Sequence, residues 1–327
     1  MAVTEQINTD RYALFNGDCC EVLPSIPDQS IGCSVYSPPF GDLYAYSNDE
    51  RDMSNCTSHE EFLEHYRFLV NEIFRATKPG RMTAVHCMDL KRGQAQRDFP
   101  GDIIRLHEEI GWHFWGRVTI GKDPWLVARR TRMRTLMHKM IVQDSTKTRP
   151  AGADYVVFMV KPGENKEPVA NPEGLFRYAG GMEVPPHLVA KFGTSGWDGD
   201  QRTNRLSHWI WRRYASPVWD DIRSGRLLPY MDAKEVDEEK HVCPLQLDVI
   251  ERSLTLYSNP GDAVLTPFLG VGSEAYVAVQ MGRKAVGIEL KPSYFRQAVK
   301  NVQQAEETPL GDGEQDMFEG VEMGDIE

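Results

Sequence analysis

The stretch "AVLTPFLGVGSEAYVAVQMG", Ala263 to Gly282, constrains the fold more than any other part of the chain. A short apolar run ends in a glycine-bearing loop, and a helical segment follows at once. Gly270, Gly272 and Ala275 fit the pattern G-x-G-x-x-G/A in the context that pattern requires, after a strand and at the opening of a helix. Glycines there let the backbone come close to a ligand. Glu289 ends the next apolar run, 17 residues after Gly272, where a carboxylate can accept hydrogen bonds from ribose hydroxyls. The pattern predicts a nucleoside-type cofactor. The plain alternative is a tight strand-to-helix turn with a surface glutamate.

Strands and helices alternate elsewhere too. "ALFNGD" and "SIGCSVY" read as strands. "SHEEFLEHYRFLVNEIFRATKPG" reads as a helix with Ser58 as N-cap, Glu61 completing a capping box, and Pro79-Gly80 as its stop. "RMTAVHCM", "WHFWGRVTI" and "ADYVVFMVKP" read as strands, with the helix "GDIIRLHEEIG" among them. After the glycine loop come the strand "KAVGIEL" and the helix "PSYFRQAVKNVQQA". This alternation predicts an α/β fold, a doubly wound and mostly parallel sheet with helices on both faces. Glu164 to about Pro229 breaks the rhythm, being rich in Gly, Pro, Trp and Arg without clean periodicity. The expected division is 1–163, an irregular insert at 164–240, 241–304, and an acidic tail at 305–327 that reads as disordered.

The net charge of −11 argues at first against a nucleic-acid partner, but the tail alone carries nine Asp/Glu and no Lys/Arg. Between Arg117 and Pro150 there are nine Lys/Arg against two Asp, a local excess of seven. Arg129, Arg130, Arg132 and Arg134 fall in "ARRTRMRT"; as a strand, the last three would share one side. A solvated helix face is the ordinary reading, but a one-sign excess of this kind is more than ordinary surface and suits phosphate contacts, so DNA is favoured for these arginines. Arg202, Arg205, Arg212 and Arg213 stand among Trp197, Trp209 and Trp211; they are placed either to reach base edges or to surround a small tryptophan core, and for the tryptophans the core is favoured. The six cysteines show no CxxC or zinc spacing and read as reduced thiols, and no metal site is expected. No apolar run reaches the roughly 20 residues of a membrane helix, and the N-terminus shows no secretion signal, so the expected setting is cytoplasmic, in a bacterial or phage-infected cell.

"YSPPF", Tyr36 to Phe40, follows the run "IGCSV". Two prolines should end that strand. They also fix φ and restrict the residue before each, which holds a hydroxyl and an aromatic ring in set positions. The loop after it, "GDLYAYSNDERDMSN", is either a cover for a bound base or ordinary exposed chain.

Together these segments resemble the S-adenosylmethionine-dependent DNA amino-methyltransferases in their permuted (beta-type) order, with the catalytic motif first, a target-recognition insert in the middle and the cofactor loop last. The resemblance covers about half the chain. It implies a Rossmann-like methyltransferase fold and assigns residues by position. Ser37, Pro38, Pro39 and Phe40 match the catalytic tetrad. Phe268, Gly270, Gly272 and Ser273 match the cofactor loop, Glu289 the ribose-binding acid, Asp18 a residue beside the adenine, and Pro244 and Leu245 the segment near the methionine end. Two departures stand out: Thr266 replaces the family's usual Asp, and Ser273 replaces its frequent Thr. The partner implied is double-stranded DNA, with a homodimer and a cognate restriction endonuclease as further expectations. No membrane partner is expected.

The chemistry fits that assignment. Methylating an exocyclic amine requires drawing its nitrogen towards a tetrahedral shape, and the Ser37 hydroxyl and the Pro38 carbonyl are suited to accept its protons. Preorganised dipoles of this kind cost little reorganisation during reaction. Phe40 offers a face for the base, a contact of about 1–3 kcal/mol, and the base must first be flipped from the duplex. There is no Pro-Cys dipeptide for carbon-5 cytosine chemistry. In the resembling family a leading Ser goes with N4 of cytosine, and a leading Asp with N6 of adenine. Cytosine N4 is therefore the expectation and adenine N6 the alternative. An NAD-dependent oxidoreductase fits poorly, because only one strand and one helix follow the loop before the tail. A non-catalytic DNA-binding module and a methyltransferase acting on RNA or protein are the other readings.

Overall fold

The computed structural model describes residues 3–39, 52–93, 95–131, 135–188, 200–230 and 244–307, without the side chains at positions 54, 130 and 131. In chain order the first elements are β1 (Val3–Asn8), β2 (Tyr12–Gly17), α1 (Cys19–Val22), β3 (Ile31–Tyr36), α2 (His59–Ala76) and β4 (Thr77–Met88). There follow β5 (Leu90–Arg92), β6 (Ala95–Arg97), α3 (Phe99–Ile110), β7 (His113–Ile120), α4 (Pro124–Thr131), α5 (His138–Gln143) and β8 (Asp154–Val160). The remainder are α6 (Arg205–Tyr214), β9 (Val218–Trp219), α7 (Leu247–Tyr257), β10 (Ala263–Thr266), α8 (Ser273–Gln280), β11 (Lys284–Glu289) and α9 (Pro292–Glu307).

Nine strands form one sheet in the order β1-β2-β11-β10-β3-β4-β8-β7-β9. From β2 to β4 the pairings are parallel, and only β1 and β8 run against the rest. The last two strands of the chain, β10 and β11, thus slot between β2 and β3, which lie near its beginning. The central strands are buried on both faces, which is why they read as near-continuous apolar runs. Along β3, Cys33 and Val35 join a core with α7, α8 and α9, while Tyr36 joins another with α1, α2 and α3. Along β4, Met82 and Ala84 take the first side, Val85 and Cys87 the second.

Several elements begin or end elsewhere than the sequence predicts. The capping box of α2 is modified: Ser58 Oγ accepts from the Glu61 amide at 3.1 Å, but Glu61 Oε2 reaches back to Thr57, taking both its amide and its hydroxyl at 2.7 Å. Pro79-Gly80 does not stop this helix; it ends at Ala76, and the pair already lies within β4. Strand β1 was not expected, because only Val3 and Ile7 of its side chains turn inward. Arg129 and Arg130 belong to the helix α4, so the helical reading holds for them and the strand alternative fails at Arg130. α9 continues to Glu307 with Ala305 buried, so the acidic tail starts later than position 305.

Within the expected insert, residues 164–188 and 200–230 carry little regular structure but are anchored. Ala179, Leu188, Leu206, Ile210 and Tyr214 form its own small core. Trp209 packs against that core and Tyr178, whereas Trp211 is exposed, so only one of these two tryptophans is a core residue. β9 joins the main sheet beside β7. On α7, buried Asp248 pairs with Arg223 and Arg226, Glu251 with Arg226 and Arg177, and Arg252 with Asp221. Among the described residues no helix is long and apolar enough to cross a membrane.

A further buried pair secures the middle of the sheet. Arg81 on β4 donates to the Gly32 carbonyl at 2.9 Å and the Glu167 carbonyl at 2.8 Å, and pairs with Asp262 just ahead of β10. Removing one member would leave an uncompensated buried charge, a loss of about 3–5 kcal/mol for such pairs. Asp262→Ala is therefore expected to lower the unfolding free energy by about that amount, read from the midpoint in a urea titration.

Candidate active site

The carboxyl ends of parallel strands are where open α/β sheets gather ligand-binding loops. Here β3, β10 and β11 deliver Ser37, the glycine loop and Glu289 to one edge. β10 pairs with β3 through Val264–Cys33 and Leu265–Ser34, and with β11 through four residue pairs ending at Thr266–Gly287. The loop after β10 turns back along β11, the Leu269 amide donating to the Ile288 carbonyl at 2.8 Å. Phe268 tilts against Tyr36 with ring centroids 6.0 Å apart, so the two motifs touch directly.

The glycines serve two separate ends. Gly270 has φ +54°, and a Cβ there would meet no heavy atom within 4 Å among the described residues. It opens towards free space. Gly272 has φ +92°, and a Cβ there would sit 3.1 Å from Ala298 of α9. That glycine permits the close approach of loop and helix. Asn301 of α9 donates to the Val271 carbonyl at 2.7 Å and fixes the turn between them.

Glu289 accepts from the Gly270 and Lys291 amides, each at 2.8 Å. Two acceptor oxygens offer about four lone-pair sites, so capacity remains for hydroxyl donors. Its surroundings are dense enough that burial, resisted by those two amides, pushes its carboxyl up to about 7. Asp18 follows β2, whose Asn16 lies opposite Glu289 in the register, and its side chain caps α1 through the Cys20 amide at 2.8 Å. Pro244 and Leu245 are buried ahead of α7, Leu245 in the same core as α8. Among the described residues the buried Ser273 hydroxyl has no hydrogen-bond partner, nor has that of Thr266, where the family's usual carboxylate is absent.

Pro38 is buried, and Ser37 and Pro39 are half-buried, at the end of β3. Phe40, Arg132 and Arg134 lie outside the described residues, as does the side chain of Arg130. Arg129 is exposed on α4 and stacks on Trp125, 4.6 Å from the ring centroid. β7 runs in the same direction as β4, so α4 departs from the same edge of the sheet as Ser37. No contact joins Arg129 to Ser37 or the glycine loop among the described residues.

Sequence reasoning missed His86, Asp154 and Lys122. Ser37 Oγ lies 2.8 Å from His86 Nδ1, and His86 Nε2 lies 3.0 Å from Asp154 Oδ2, which also pairs with Lys122. A signal was present: a histidine inside "RMTAVHCM" and an aspartate heading "DYVVFMV" are polar intrusions in strands otherwise built for burial. Asn16 was missed as well. It donates to the carbonyls of Glu289 and Leu290 at 2.8 and 3.1 Å, pinning the end of β11.

A sheet of this order, with a glycine loop and a Ser-Pro-Pro turn on one edge, defines a Rossmann-like methyltransferase domain. Between residues 31 and 300 the chain matches the N6/N4 methyltransferase model described as "DNA methylase", and it belongs to that family. It is 32% identical to the type II methyltransferase M.BglI of Bacillus subtilis over 315 residues, covering 90% of this chain and 86% of that one. Among solved structures it is similar in fold to TTHA0409 of Thermus thermophilus, designated a DNA modification methylase and complexed with S-adenosyl-L-methionine. There the TM-score is 0.57 and the identity 20%, over 90% of this chain and 96% of the other. The cytosine-N4-specific PvuII DNA methyltransferase gives a TM-score of 0.58 at 16% identity, over 93% and 95% of the two chains.

Two buried carboxyls make the stability of the ligand-free protein depend on pH. Burial pushes Glu274 at the start of α8 up to about 8 and Glu289 up to about 7. The folded state therefore keeps protons that the unfolded chain releases above the ordinary glutamate range. This contribution is fully present below about pH 4.3 and is lost as pH rises through about 7 to 8. Glu274→Gln removes one such proton. Thermal melts from pH 5 to 8 should show a smaller fall in midpoint for this variant than for the unaltered protein.

Proposed function

We propose that this protein transfers a methyl group from S-adenosylmethionine to the N4 amine of a cytosine flipped out of double-stranded DNA. The observation that carries this reading is the adjacency of Ser37 and the glycine loop at the carboxyl ends of paired strands, with Tyr36 against Phe268. The permuted order belongs to the same reading. It is supported by β10 and β11, late in the chain, lying between β2 and β3.

The residues present fit such a cofactor. Among the described residues nothing occupies the space beside Gly270 and the buried Ser273 hydroxyl has no partner, and Glu289 retains acceptor capacity. Glu289 would take the ribose hydroxyls, Asp18 would stand beside the adenine, Pro244 and Leu245 would lie near the methionine portion, and Phe268 would act as part of the cofactor loop. When bound, the cofactor supplies a methyl group activated by a sulfonium, and the C–S electron pair stays with sulfur. Ser37 Oγ and the Pro38 carbonyl accept the amine hydrogens, drawing the nitrogen out of conjugation with the ring. Pro39 keeps the turn rigid, and Phe40 stacks on the base. Positioning of the reacting groups supplies much of the rate.

The serine ahead of the prolines is what supports cytosine over adenine. Arg129, Arg130, Arg132 and Arg134 take phosphates, and the insert at 164–240 reads the target sequence. A cognate endonuclease accords with the type II methyltransferase name of the relative M.BglI.

Incubation with unmethylated DNA and methyl-labelled S-adenosylmethionine, followed by nucleoside analysis, tests the reading. N4-methylcytosine is the expected product. N6-methyladenine would overturn the choice of base, and no incorporation would overturn the function. Phe40→Ala should lose turnover while retaining cofactor affinity; equal loss of both would remove the stacking role. For the phosphate contacts, Arg129→Ala should weaken binding about equally across DNA sequences. It should also reduce the slope of log K against log salt by about one.

A further inference from the structure

Behind Ser37 three side chains form a line that methyl transfer, as described so far, leaves unused. They come from three strands or their ends. β8 runs against β4, so Asp154 at its start lies opposite Met88, near the carboxyl end of β4, and also opposite Ile120 at the end of β7. His86 projects from β4, two residues earlier. Lys122 follows β7. The line runs Ser37 Oγ, His86 Nδ1 at 2.8 Å, His86 Nε2, Asp154 Oδ2 at 3.0 Å, with Lys122 Nζ on the same oxygen. His86 and Asp154 are both buried.

The chemistry of the line has a direction. Burial alone would raise the Asp154 carboxyl, but His86 and Lys122 outweigh it and hold it down to about 2. An ionised carboxylate only accepts. His86 Nε2 must then carry hydrogen, and in the neutral ring Nδ1 offers a lone pair to the Ser37 hydroxyl. The Ser37 O–H points inward, and its own lone pairs are left facing the pocket, where an amine would donate. A hydroxyl without such a partner is as free to donate as to accept.

The order of groups resembles that of acyl-transfer triads, in which an aspartate fixes the histidine tautomer and stabilises the imidazolium, but the ring is reversed: Nδ1 faces Ser37 and Nε2 faces Asp154, where those triads have Nε2 on the serine. Acyl transfer also needs backbone N–H groups near the serine to hold an oxyanion, commonly one from the residue that follows it. Here the next two residues are prolines, which have no N–H. The line is built for moving a proton and not for covalent attack.

We propose that His86 and Asp154 act as positioning residues behind Ser37 and form the relay that removes the proton an exocyclic amine must lose on methylation. The proposal rests on the role assigned to Ser37 under the proposed function. As the nitrogen lone pair becomes the new N–C bond, the nitrogen acquires a positive charge and one surplus proton. That proton passes to Ser37 Oγ while the Ser37 hydroxyl proton passes to His86 Nδ1. The products are a neutral N-methyl amine, a restored Ser37 hydroxyl and a His86 imidazolium facing the Asp154 carboxylate. The imidazolium then returns its proton to water.

Two measurements on the full chain test this. Imidazole ¹⁵N NMR of the cofactor-free protein at alkaline pH should show the His86 tautomer with Nε2 protonated and Nδ1 bare, and Ser37→Ala should shift the Nδ1 signal alone. A protonated Nδ1 would overturn the proposal. Single-turnover methyl transfer should fall about 10²-fold in His86→Gln and in Asp154→Asn, the scale of general acid–base effects, with DNA and cofactor affinities unchanged. Imidazole added to His86→Gly should restore part of the rate. Wild-type rates in His86→Gln and Asp154→Asn, with Ser37→Ala inactive, would overturn the relay and leave the proposed function standing. An inactive wild-type protein would instead overturn the proposed function.

Discussion

Strand β10 meets β3 through two residue pairs, Val264 with Cys33 and Leu265 with Ser34, and those pairs join the two ends of the chain. Everything at the carboxyl edge follows from that register. Shifting β10 by one residue would turn Val264 and Leu265 towards each other's cores, because the side-chain period of a strand is two. It would also carry Phe268 away from Tyr36 and Gly270 away from the Glu289 carboxylate. Arg81 guards this register from below, holding the Gly32 carbonyl and Asp262 with one guanidinium. A shared buried cation is a directional constraint that apolar packing alone does not supply.

The polar groups of the site divide by environment. Glu289 sits where burial opposes its charge, and its two backbone donors only partly offset that. Asp154 is buried as well, yet a histidine and a lysine keep it ionised. Two carboxyls on one sheet edge are thus driven in opposite directions. One is ready to receive hydroxyl donors, the other is a fixed negative charge beneath a serine.

Much of this was legible from local pattern. The prolines after Tyr36, the glycine loop after Thr266 and the helix caps at Ser58 and Gly111 are short-range signals, and each marks the position expected of it. What stayed hidden depends on long separations. Ser37 and His86 are 49 residues apart, and His86 and Asp154 are 68 apart. The parallel pairing of β3 with β4 makes the first two neighbours, the antiparallel entry of β8 between β4 and β7 brings Asp154 to His86, and strand pairing leaves no mark on composition. The edge strand β1 escaped for a different reason. Its "VTEQIN" has one face in solvent, so its apolar content is too low to announce it. Pro79-Gly80 misled because a helix stop and a strand start use the same residues.

The buried charges on α7 carry a consequence for exchanging inserts between related enzymes. Asp248 and Glu251 face Arg177, Arg223 and Arg226 of the insert, and Arg252 faces its Asp221. A transplanted insert lacking those four partners would strand two carboxylates and a guanidinium in the interior beside the helix that leads into β10. Modular replacement of this segment is therefore limited to its outer surface. The inner seam has to travel with the graft, like a keyed connector, or α7 must be rewritten to match.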